Sequence, residues 1–349
     1  MDEYTKRLEK IELELKKWMP QNNEKIISGI FGNDKKEIKT ESLGVLFDPL
    51  DDILERGGKR WRPLLMTLIC ETAGGGDSSL PLSPLVEFSH NASLIHDDIE
   101  DDSDQRRGKP VIHQIYGLDA AVNSGSFLYF LAACCIENYK SETKEKIYSI
   151  WANYMRRLHL GQAMDINWHN NIKQIPETEE YYFMCGMKTG SLACMAAELG
   201  VYAADPGDRI KTAQAALLLS GAAEKLGTGF QILDDVKNLT SNIKGKSGKD
   251  DIVEGKKSLP VILYLHKHPE KREKIFYCIY EAKTNGAAVP EADEMLELLK
   301  EAGVLEEAEE KAKNLIQEAR AVFGRNEYAG IRASEEGRSL LDGLITHIS

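Results

Sequence analysis

The sequence predicts an all-α protein. Apolar residues recur at alternating steps of three and four along most of the chain, which is the period of a helix with one buried face. Strict two-residue alternation, which indicates half-buried strands, is scarce. With 42% hydrophobic and 29% charged residues, the 349-residue chain can build a large core and cover it.

The helical period is clearest near the two ends of the chain, over residues 4–18 and 295–319. The run LPVILYL at 259–265 fits a strand or a helix, and we predict a helix because Pro260 suits a helix start. Turn-type residues predict loops at 32–42, 74–79, 167–178 and 239–257. No strong linker divides the chain, so we predict one domain over residues 1–349.

Charge and cysteine content restrict the function. The net charge is −12, from 44 basic and 56 acidic residues, and such a surface repels nucleic acid. No stretch of about 18 uncharged apolar residues occurs, so we expect no membrane span. The N-terminal residues are charged where a secretory signal is apolar. Six cysteines without a CxxC pair predict buried reduced thiols, and together these features predict a cytoplasmic protein.

The segment SLIHDDIEDDSDQRRGKP, residues 93–110, carries the strongest chemical signal. On a helix, Asp97 and Asp101 lie one turn apart, where two carboxylates repel each other. A magnesium ion removes that repulsion, because it takes oxygen ligands from one or two carboxylates and completes its shell with water and phosphate. Arg106 and Arg107 follow, and adjacent guanidinium groups suit a diphosphate.

A second acidic segment, FQILDDVKN, occupies residues 230–238. Gln231, Asp234 and Asn238 lie on one helical face, at steps of three and four. Asparagine is a neutral oxygen ligand, so this site is expected to hold a metal ion more weakly than the first, or through water.

Basic residues that could bind phosphate are spread along the chain. They are Lys59, Arg60 and Arg62 in GGKRWRP, Lys188 beside Thr189 in MKTGSL, and Lys246 and Lys256 in the predicted loop 239–257. Taken together they supply enough positive charge for two diphosphates. Two carboxylate clusters facing each other across a cavity would hold a metal-bound diphosphate and ease the breaking of a carbon–oxygen bond.

These motifs resemble the trans-isoprenyl diphosphate synthase family. GGKRWRP, DDIED, GQAMDI (with Gln162 and Asp165) and FQILDD occur in the family's order between Gly57 and Leu265. The resemblance implies a helical bundle around a central cavity, of the isoprenoid synthase type, and commonly a homodimer. It implies a prenyltransferase that uses magnesium, as three ions, to condense an allylic diphosphate with isopentenyl diphosphate.

The resemblance also implies a role for each site residue. The implied magnesium ligands are Asp97, Asp101 and Asp234, with Asp98 in support. The implied contacts of isopentenyl diphosphate are Lys59, Arg62, His90 and Arg107. The implied contacts of the allylic diphosphate are Arg106, Lys188 and Lys246, with main-chain carbonyls near Lys188 and Thr189 facing the cation. Thr189, Gln231 and Lys256 are further predicted substrate contacts.

Product length in this family depends on the residues before the first acidic motif. Here the position five before Asp97 is Ala92, followed by Ser93, and both are small enough to let a growing chain pass. The aromatic residues Tyr129 and Phe130, with His159, match the deeper floor of geranylgeranyl-type members. This predicts a twenty-carbon product, geranylgeranyl diphosphate, while ordinary core packing is the alternative for these three side chains.

Three other functions fit parts of the pattern. A synthase of longer polyprenyl diphosphates shares every motif. A class I terpene cyclase shares the acidic helix, but it has no second substrate and so no need for GGKRWRP or paired arginines. A non-catalytic subunit of a prenyl synthase is supported only by Asn238, which stands where the family's second motif has aspartate.

Overall fold

The computed structural model describes residues 2–19, 43–240 and 249–348. These residues are predominantly helical, and their strands are two-residue pairs, so the all-α prediction is confirmed. The predicted loop at 32–42 lies outside the described residues.

The helices are named here in chain order. The first seven are α1 Glu3–Lys16, α2 Gly44–Glu55, α3 Trp61–Thr72, α4 Ser83–Glu100, α5 Ile112–Tyr116, α6 Leu118–Ala133 and α7 Ser141–Asn170. The others are α8 Thr178–Cys185, α9 Ser191–Ala204, α10 Arg209–Thr240, α11 Asp250–Glu254, α12 Leu259–Lys267, α13 Arg272–Asn285, α14 Pro290–Glu301, α15 Val304–Phe323 and α16 Glu335–Ile348. A π-helical turn, Gly186–Gly190, joins α8 to α9.

Local sequence signals explain several helix boundaries. The Asp2 side chain caps α1 by accepting a hydrogen bond from the Thr5 backbone N–H at 2.7 Å. Helix α8 begins with a reciprocal capping box between Glu177 and Glu180. The ambiguous run at 259–265 is helix α12, as predicted, with its proline in the first turn.

Two sequence predictions of irregular structure were wrong for part of their length. The predicted loop at 74–79 is largely a 3₁₀-helix, Gly76–Leu82, and the predicted loop at 239–257 contains the short helix α11. The sequence pattern also missed two antiparallel hairpins, β1 Gln105–Arg106 with β2 Lys109–Pro110, and β3 Glu327–Tyr328 with β4 Ile331–Arg332. Strands of two residues are too short to show alternation.

The chain divides into two compact units. The first unit comprises Met1–Ala152, Met195–Ala216 and Asn326–Leu340, and the second comprises Asn153–Cys194, Leu217–Arg325 and Leu341–Ser349. In the first unit, α4 packs closely on α6, since a Cβ atom on Gly125 would lie 2.7 Å from the His96 ring. In the second unit, α12 packs on α15 and α13 on α14. The assignment of residues 1–349 to a single domain stays a prediction.

The cysteines and the longest apolar helix bear on the sequence predictions. All six cysteines are free thiols, and all but the half-buried Cys134 are buried, as predicted. Within the described residues, one helical stretch, Leu118–Glu137, is long and apolar enough to cross a membrane. Of its most apolar window, 56% is buried inside the protein, as in a core helix, so the stretch is weak evidence for a span.

Candidate active site

The first acidic segment forms the end of helix α4. Asp97 and Asp98 lie in its last turn, and Asp101 is the C-cap, whose backbone N–H donates to the Asp97 carbonyl at 2.9 Å. Asp98 is buried, whereas Asp97 and Asp101 are half-buried. The helix therefore presents Asp97 and Asp101 one turn apart, as the sequence predicts.

Arg106 reaches this segment from the hairpin that follows. Its Nε atom donates to Asp98 Oδ1 at 2.9 Å, and its Nη2 atom makes a shorter contact with the same oxygen. Nη2 also lies 3.7 Å from Asp97 Oδ2. Burial raises the pKa of the Asp98 carboxyl, and the guanidinium opposes that rise. The helix end and the hairpin thus bring a cation and carboxylates to one place.

The oxygen donors of this segment suit a magnesium ion. Asp98 Oδ2 is buried and accepts no hydrogen bond from any described residue. Within residues 2–19, 43–240 and 249–348, no group of three or more His, Cys, Asp or Glu side chains is placed to hold a metal ion. Magnesium needs only one or two carboxylates when a phosphate completes its shell. The donor set therefore fits an ion that binds together with a phosphate ligand.

A second cluster, of arginines, contacts the same helix and hairpin. Arg62 is buried, and its Nη1 atom lies 3.3 Å from His90 Nε2. Arg107 occupies the left-handed conformation in the two-residue hairpin turn, and its Nη1 atom donates to the Gly57 carbonyl. Gly58 permits this approach, because a Cβ atom there would lie 2.9 Å from Arg107 Nη2. The structure thus brings together three of the four predicted contacts of isopentenyl diphosphate.

Burial and mutual repulsion shift the ionisation of this cluster. Burial, opposed by the Glu87 carboxylate and reinforced by the neighbouring Arg107, lowers the pKa of the Arg62 guanidinium to about 10. Burial also holds the pKa of His90 well below its usual value, with added repulsion from Arg62 and Arg107. His90 is therefore neutral near pH 7 and can accept the hydrogen bond from Arg62. An anionic ligand would relieve the repulsion. Lys59, the fourth predicted contact, is exposed.

The hairpin is held in place by Arg56, which the sequence pattern did not single out. Arg56 Nη1 donates to the carbonyl of Pro110 at 2.8 Å and to that of Arg106 at 3.3 Å. Asp52, one helical turn earlier, fixes the guanidinium with a hydrogen bond from Nη2 at 2.9 Å. The sequence signal for Arg56 was its i, i+4 spacing from Asp52, although acid–base pairs at that spacing are usually surface features.

In the second unit, three of the predicted substrate contacts, Lys188, Thr189 and Gln231, make hydrogen bonds between helical segments. Lys188 Nζ donates to Asp165 Oδ2 at 2.7 Å. Thr189 Oγ1 donates to Gln231 Oε1 at 2.6 Å, and Gln231 Nε2 donates to Asp235 Oδ1 at 2.8 Å. Hydrogen bonds therefore join residues from α7, the π-helical turn and α10, and the shared substrate role of these residues stays a prediction.

The two aspartates of the second motif lie in different surroundings. Asp235 is buried and accepts a hydrogen bond from the hydroxyl of Tyr181 at 2.6 Å, whereas Asp234 is half-buried. Burial raises the pKa of Asp235 to about 6, against the lowering effect of its hydrogen bonds. Asp234 is thus the aspartate better placed to meet a metal ion from solvent. The assignment of Asp234 as a magnesium ligand stays a prediction.

The structure gives a physical reason for asparagine at position 238. The Nδ2 atom of Asn238 donates to Asp251 Oδ1 at 3.3 Å, and Asp251 is buried. An aspartate at 238 would place a second carboxylate against Asp251, where like charges repel strongly. The amide instead makes a hydrogen bond and is turned toward Asp251.

Lys188 and Thr189 lie in a π-helical turn that is closely packed. A Cβ atom on Gly161 of α7 would lie 2.3 Å from the Lys188 backbone nitrogen, and one on Gly227 of α10 would lie 2.9 Å from the Gly190 Cα atom. The side chain of Glu224 covers the turn and pairs with Arg157 at 2.8 Å. π-Helical turns frequently mark functional sites. The sequence did not predict this irregularity.

The remaining predicted lysines have different positions. Lys256 is half-buried and forms an ion pair with Glu254. Lys246 lies outside the described residues. The next residue, Lys257, is buried, and its Nζ atom donates to the Gly255 carbonyl at 3.3 Å. Burial lowers the pKa of Lys257 to about 8, with added repulsion from Lys283.

The depressed pKa of Lys257 predicts that this lysine destabilises the fold at neutral pH. Between pH 8 and its ordinary pKa of 10.5, the unfolded chain binds more protons than the folded one, so its contribution to the unfolding free energy rises with pH in that window. That pKa difference corresponds to about 3 kcal/mol, and losing the Gly255 hydrogen bond costs about 1 kcal/mol. We therefore expect Lys257→Met to raise the unfolding free energy by about 2 kcal/mol at pH 7.

The measurement is urea unfolding at pH 7 and at pH 10. The gain should shrink at the higher pH, because the wild-type lysine is then mostly neutral in the folded state. Lys300→Met, at an exposed position on α14, is the control and should change stability by less than about 0.5 kcal/mol. Destabilisation by Lys257→Met at both pH values would contradict the prediction.

The predicted chain-length residues are found in varied surroundings. Ala92 is fully buried and Ser93 half-buried on α4. Tyr129 stacks on His96, with ring centroids 5.5 Å apart, so it lies beside the residue that precedes Asp97. Phe130 is 68% exposed on the single chain, and His159, in the second unit, is exposed. The roles of these residues stay predictions.

Comparison with known proteins identifies the family. The family described as polyprenyl synthetase matches residues 44–298. A geranylgeranyl pyrophosphate synthase from Neocamarosporium betae is 31% identical over 333 residues, covering 92% of this chain and 90% of that protein. A short chain isoprenyl diphosphate synthase from Methanocaldococcus jannaschii is 34% identical over 269 residues, covering 75% of this chain and 80% of that protein.

A solved structure agrees with these relatives. The geranylgeranyl pyrophosphate synthetase from Pyrococcus horikoshii Ot3 superposes with a TM-score of 0.77 and 27% identity, over 99% of each chain. The fold and the sequence therefore indicate the same family, and the predicted resemblance to isoprenyl diphosphate synthases is confirmed. The chain belongs to the polyprenyl synthetase family and is a prenyltransferase enzyme.

Proposed function

We propose that this prenyltransferase condenses an allylic diphosphate with isopentenyl diphosphate to give geranylgeranyl diphosphate. One observation carries the proposal: helix α4, the hairpin after it and the start of α3 bear an acidic cluster and an arginine cluster within one unit. The first cluster suits a metal-bound diphosphate and the second suits a diphosphate held by side chains alone. Relatives named geranylgeranyl pyrophosphate synthase support the product.

Each cluster has a part in the proposed reaction. We propose three magnesium ions, held by Asp97, Asp101 and Asp234 with Asp98 in support. The ions would neutralise negative charge on the leaving diphosphate. Arg106 and Lys188 hold the allylic diphosphate, and Lys188 would exchange its bond to Asp165 for one to phosphate. Lys246, Lys256 and Gln231 assist there.

The second substrate is held by the arginine cluster. Arg62, His90 and Arg107, with Lys59, orient isopentenyl diphosphate so that its double bond meets the allylic cation. Main-chain carbonyls near Lys188 and Thr189 stabilise that cation. No side chain is assigned as a general base, and the departing diphosphate accepts the proton. The protein contributes positioning and charge stabilisation.

Incubation with isopentenyl diphosphate, magnesium and each of three starters tests the proposal. Dimethylallyl, geranyl and farnesyl diphosphates should each give a twenty-carbon diphosphate, detected by mass spectrometry. Longer products would indicate a polyprenyl synthase. Hydrocarbon released from an allylic diphosphate alone would indicate a cyclase, and inactivity with every starter would contradict the proposal.

Tyr129 is expected to limit product length. Its ring stacks on His96 of the helix that carries the first acidic motif, and this contact supports a role for Tyr129 as a floor for the growing chain. Tyr129→Ala should therefore shift the product by one or more five-carbon units, measured by mass with farnesyl diphosphate as starter. Phe130→Ala is predicted to lengthen the product too, and unchanged lengths in both variants would assign these rings to packing.

We further propose a homodimer in the cytoplasm. The large apolar side chains exposed on α5 and α6 support a second copy as the partner of this face, and they are Ile115, Leu118, Val122 and Phe130. The six free thiols suit a reducing compartment. Light scattering on the purified chain measures the mass of the assembly.

A further inference from the structure

We propose that Glu87 is a positioning residue that assembles the isopentenyl diphosphate site before substrate arrives. The inference rests on the proposed function, and it adds a residue to which no substrate contact is assigned. Glu87 lies on α4, three residues before His90, and is 2% exposed.

The carboxylate of Glu87 joins two parts of the arginine cluster. Its Oε1 atom accepts a hydrogen bond from Arg60 Nη1 at 2.8 Å and another from Asn91 Nδ2 at 3.1 Å. The Oδ1 atom of Asn91 then accepts from Arg107 Nη1 at 3.4 Å. One buried acid therefore links the GGKRWRP segment to the hairpin arginine that we assign to isopentenyl diphosphate.

Arg60 shows why this link positions the motif. It occupies the left-handed conformation at the start of α3, with φ 48°, which is uncommon for a residue with a side chain. Its guanidinium is held by Glu87, by Glu12 of α1 at 2.7 Å, and by the Leu54 carbonyl at 2.9 Å. The backbone between Lys59 and Arg62 is thereby fixed from inside the protein.

Charge gives Glu87 a second effect on the cluster. Glu87 is the acid that acts on all three buried or half-buried arginines, Arg60, Arg62 and Arg107, and it favours the charged form of each. Burial opposes that charge in every case. Without Glu87, the cluster keeps its positive charges with less compensation, so we expect the guanidinium groups to move apart when no diphosphate is bound.

If the Glu87 carboxylate only stabilised the fold, its removal would weaken the binding of both substrates alike. A positioning residue for one site should weaken only the substrate that binds there. Glu87→Gln keeps the size and the accepting oxygen but removes the charge. Glu71→Gln is the matched control, because Glu71 also pairs with an arginine in the same unit, Arg7, at 2.6 Å, but touches none of the proposed substrate contacts.

The experiment combines steady-state kinetics with calorimetric binding of isopentenyl diphosphate. We expect Glu87→Gln to raise the KM and the Kd for isopentenyl diphosphate about tenfold, with the KM for farnesyl diphosphate changed less than twofold. Glu71→Gln should leave both KM values unchanged, whatever it does to the Tm. Equal increases in both KM values, or an unchanged Kd, would overturn the inference.

Two further outcomes separate this inference from the proposed function. If the wild type binds isopentenyl diphosphate but forms no longer product, the proposed function fails and the Kd comparison still decides the role of Glu87. If the wild type does not bind it, both fail. If Glu87→Gln does not fold, Asn91→Ala replaces it, since this variant removes the contact with Arg107 and the two hydrogen bonds to Glu87 but leaves Glu87 paired with Arg60. Asn91→Ala must then raise the Kd about threefold, and an unchanged Kd would sink the inference.

Discussion

Asp97→Ala should lower turnover by about 10³-fold, because several kcal/mol of charge stabilisation at the leaving diphosphate depend on a bound metal ion. The side chain is half-buried at the end of α4, so its removal leaves no cavity in the core. The far-UV circular dichroism and the Tm should therefore stay close to those of the wild type. Turnover is measured with saturating magnesium and both substrates.

Asp104→Ala is the matched control for this variant. Asp104 belongs to the same acidic segment and is exposed, and its side chain accepts one exposed hydrogen bond, from Gln114. We expect its turnover to stay within about twofold of the wild type. Near-normal turnover of Asp97→Ala at saturating magnesium would refute the assignment of Asp97.

Gly161→Ala should impair both stability and catalysis. The added methyl group would lie 2.3 Å from the backbone nitrogen of Lys188 and 2.8 Å from Met187, so one of the two helical segments must shift. Overpacking of this kind costs about 1–3 kcal/mol. Because the shifted segment carries Lys188 and Thr189, we also expect turnover to fall about 10²-fold.

Gly221→Ala provides the comparison for that substitution. Gly221 lies in α10, and its added methyl group would meet nothing within 4 Å among the described residues. Alanine favours a helix over glycine by about 1 kcal/mol, so this variant should be as stable as the wild type or more so. Urea unfolding and steady-state kinetics measure both effects. A Gly161→Ala enzyme with wild-type turnover would show that the π-helical turn tolerates displacement.

Sequence alone could identify the site residues whose functional partners lie close to them in the chain. Asp97 and Asp101 share a helix turn, and Arg106 follows within a few residues, so their spacing predicts a phosphate and metal site. The all-α fold follows in the same way from a period that repeats within each segment.

The residues that sequence could not identify depend on contacts between distant segments. Glu87 contacts Arg60 across 27 positions, and Tyr181 contacts Asp235 across 54. No periodicity links such pairs. The π-helical turn was likewise missed, because its own composition carries no signal and its close contact with Gly161 of another helix cannot be predicted from sequence. That the two acidic segments serve one substrate stays a prediction.

The hydrogen bonds around Asp235 all donate toward its carboxylate. The Thr189 hydroxyl donates to Gln231, Gln231 donates to Asp235, and Tyr181 donates to Asp235 from another side. A single buried anion thus fixes the orientation of three dipoles. The hydroxyl hydrogen of Thr189 is engaged in the hydrogen bond to Gln231, so only the oxygen lone pairs of Thr189 can interact with an approaching group. The Thr189 oxygen would therefore stabilise an electron-deficient carbon atom and repel an anion.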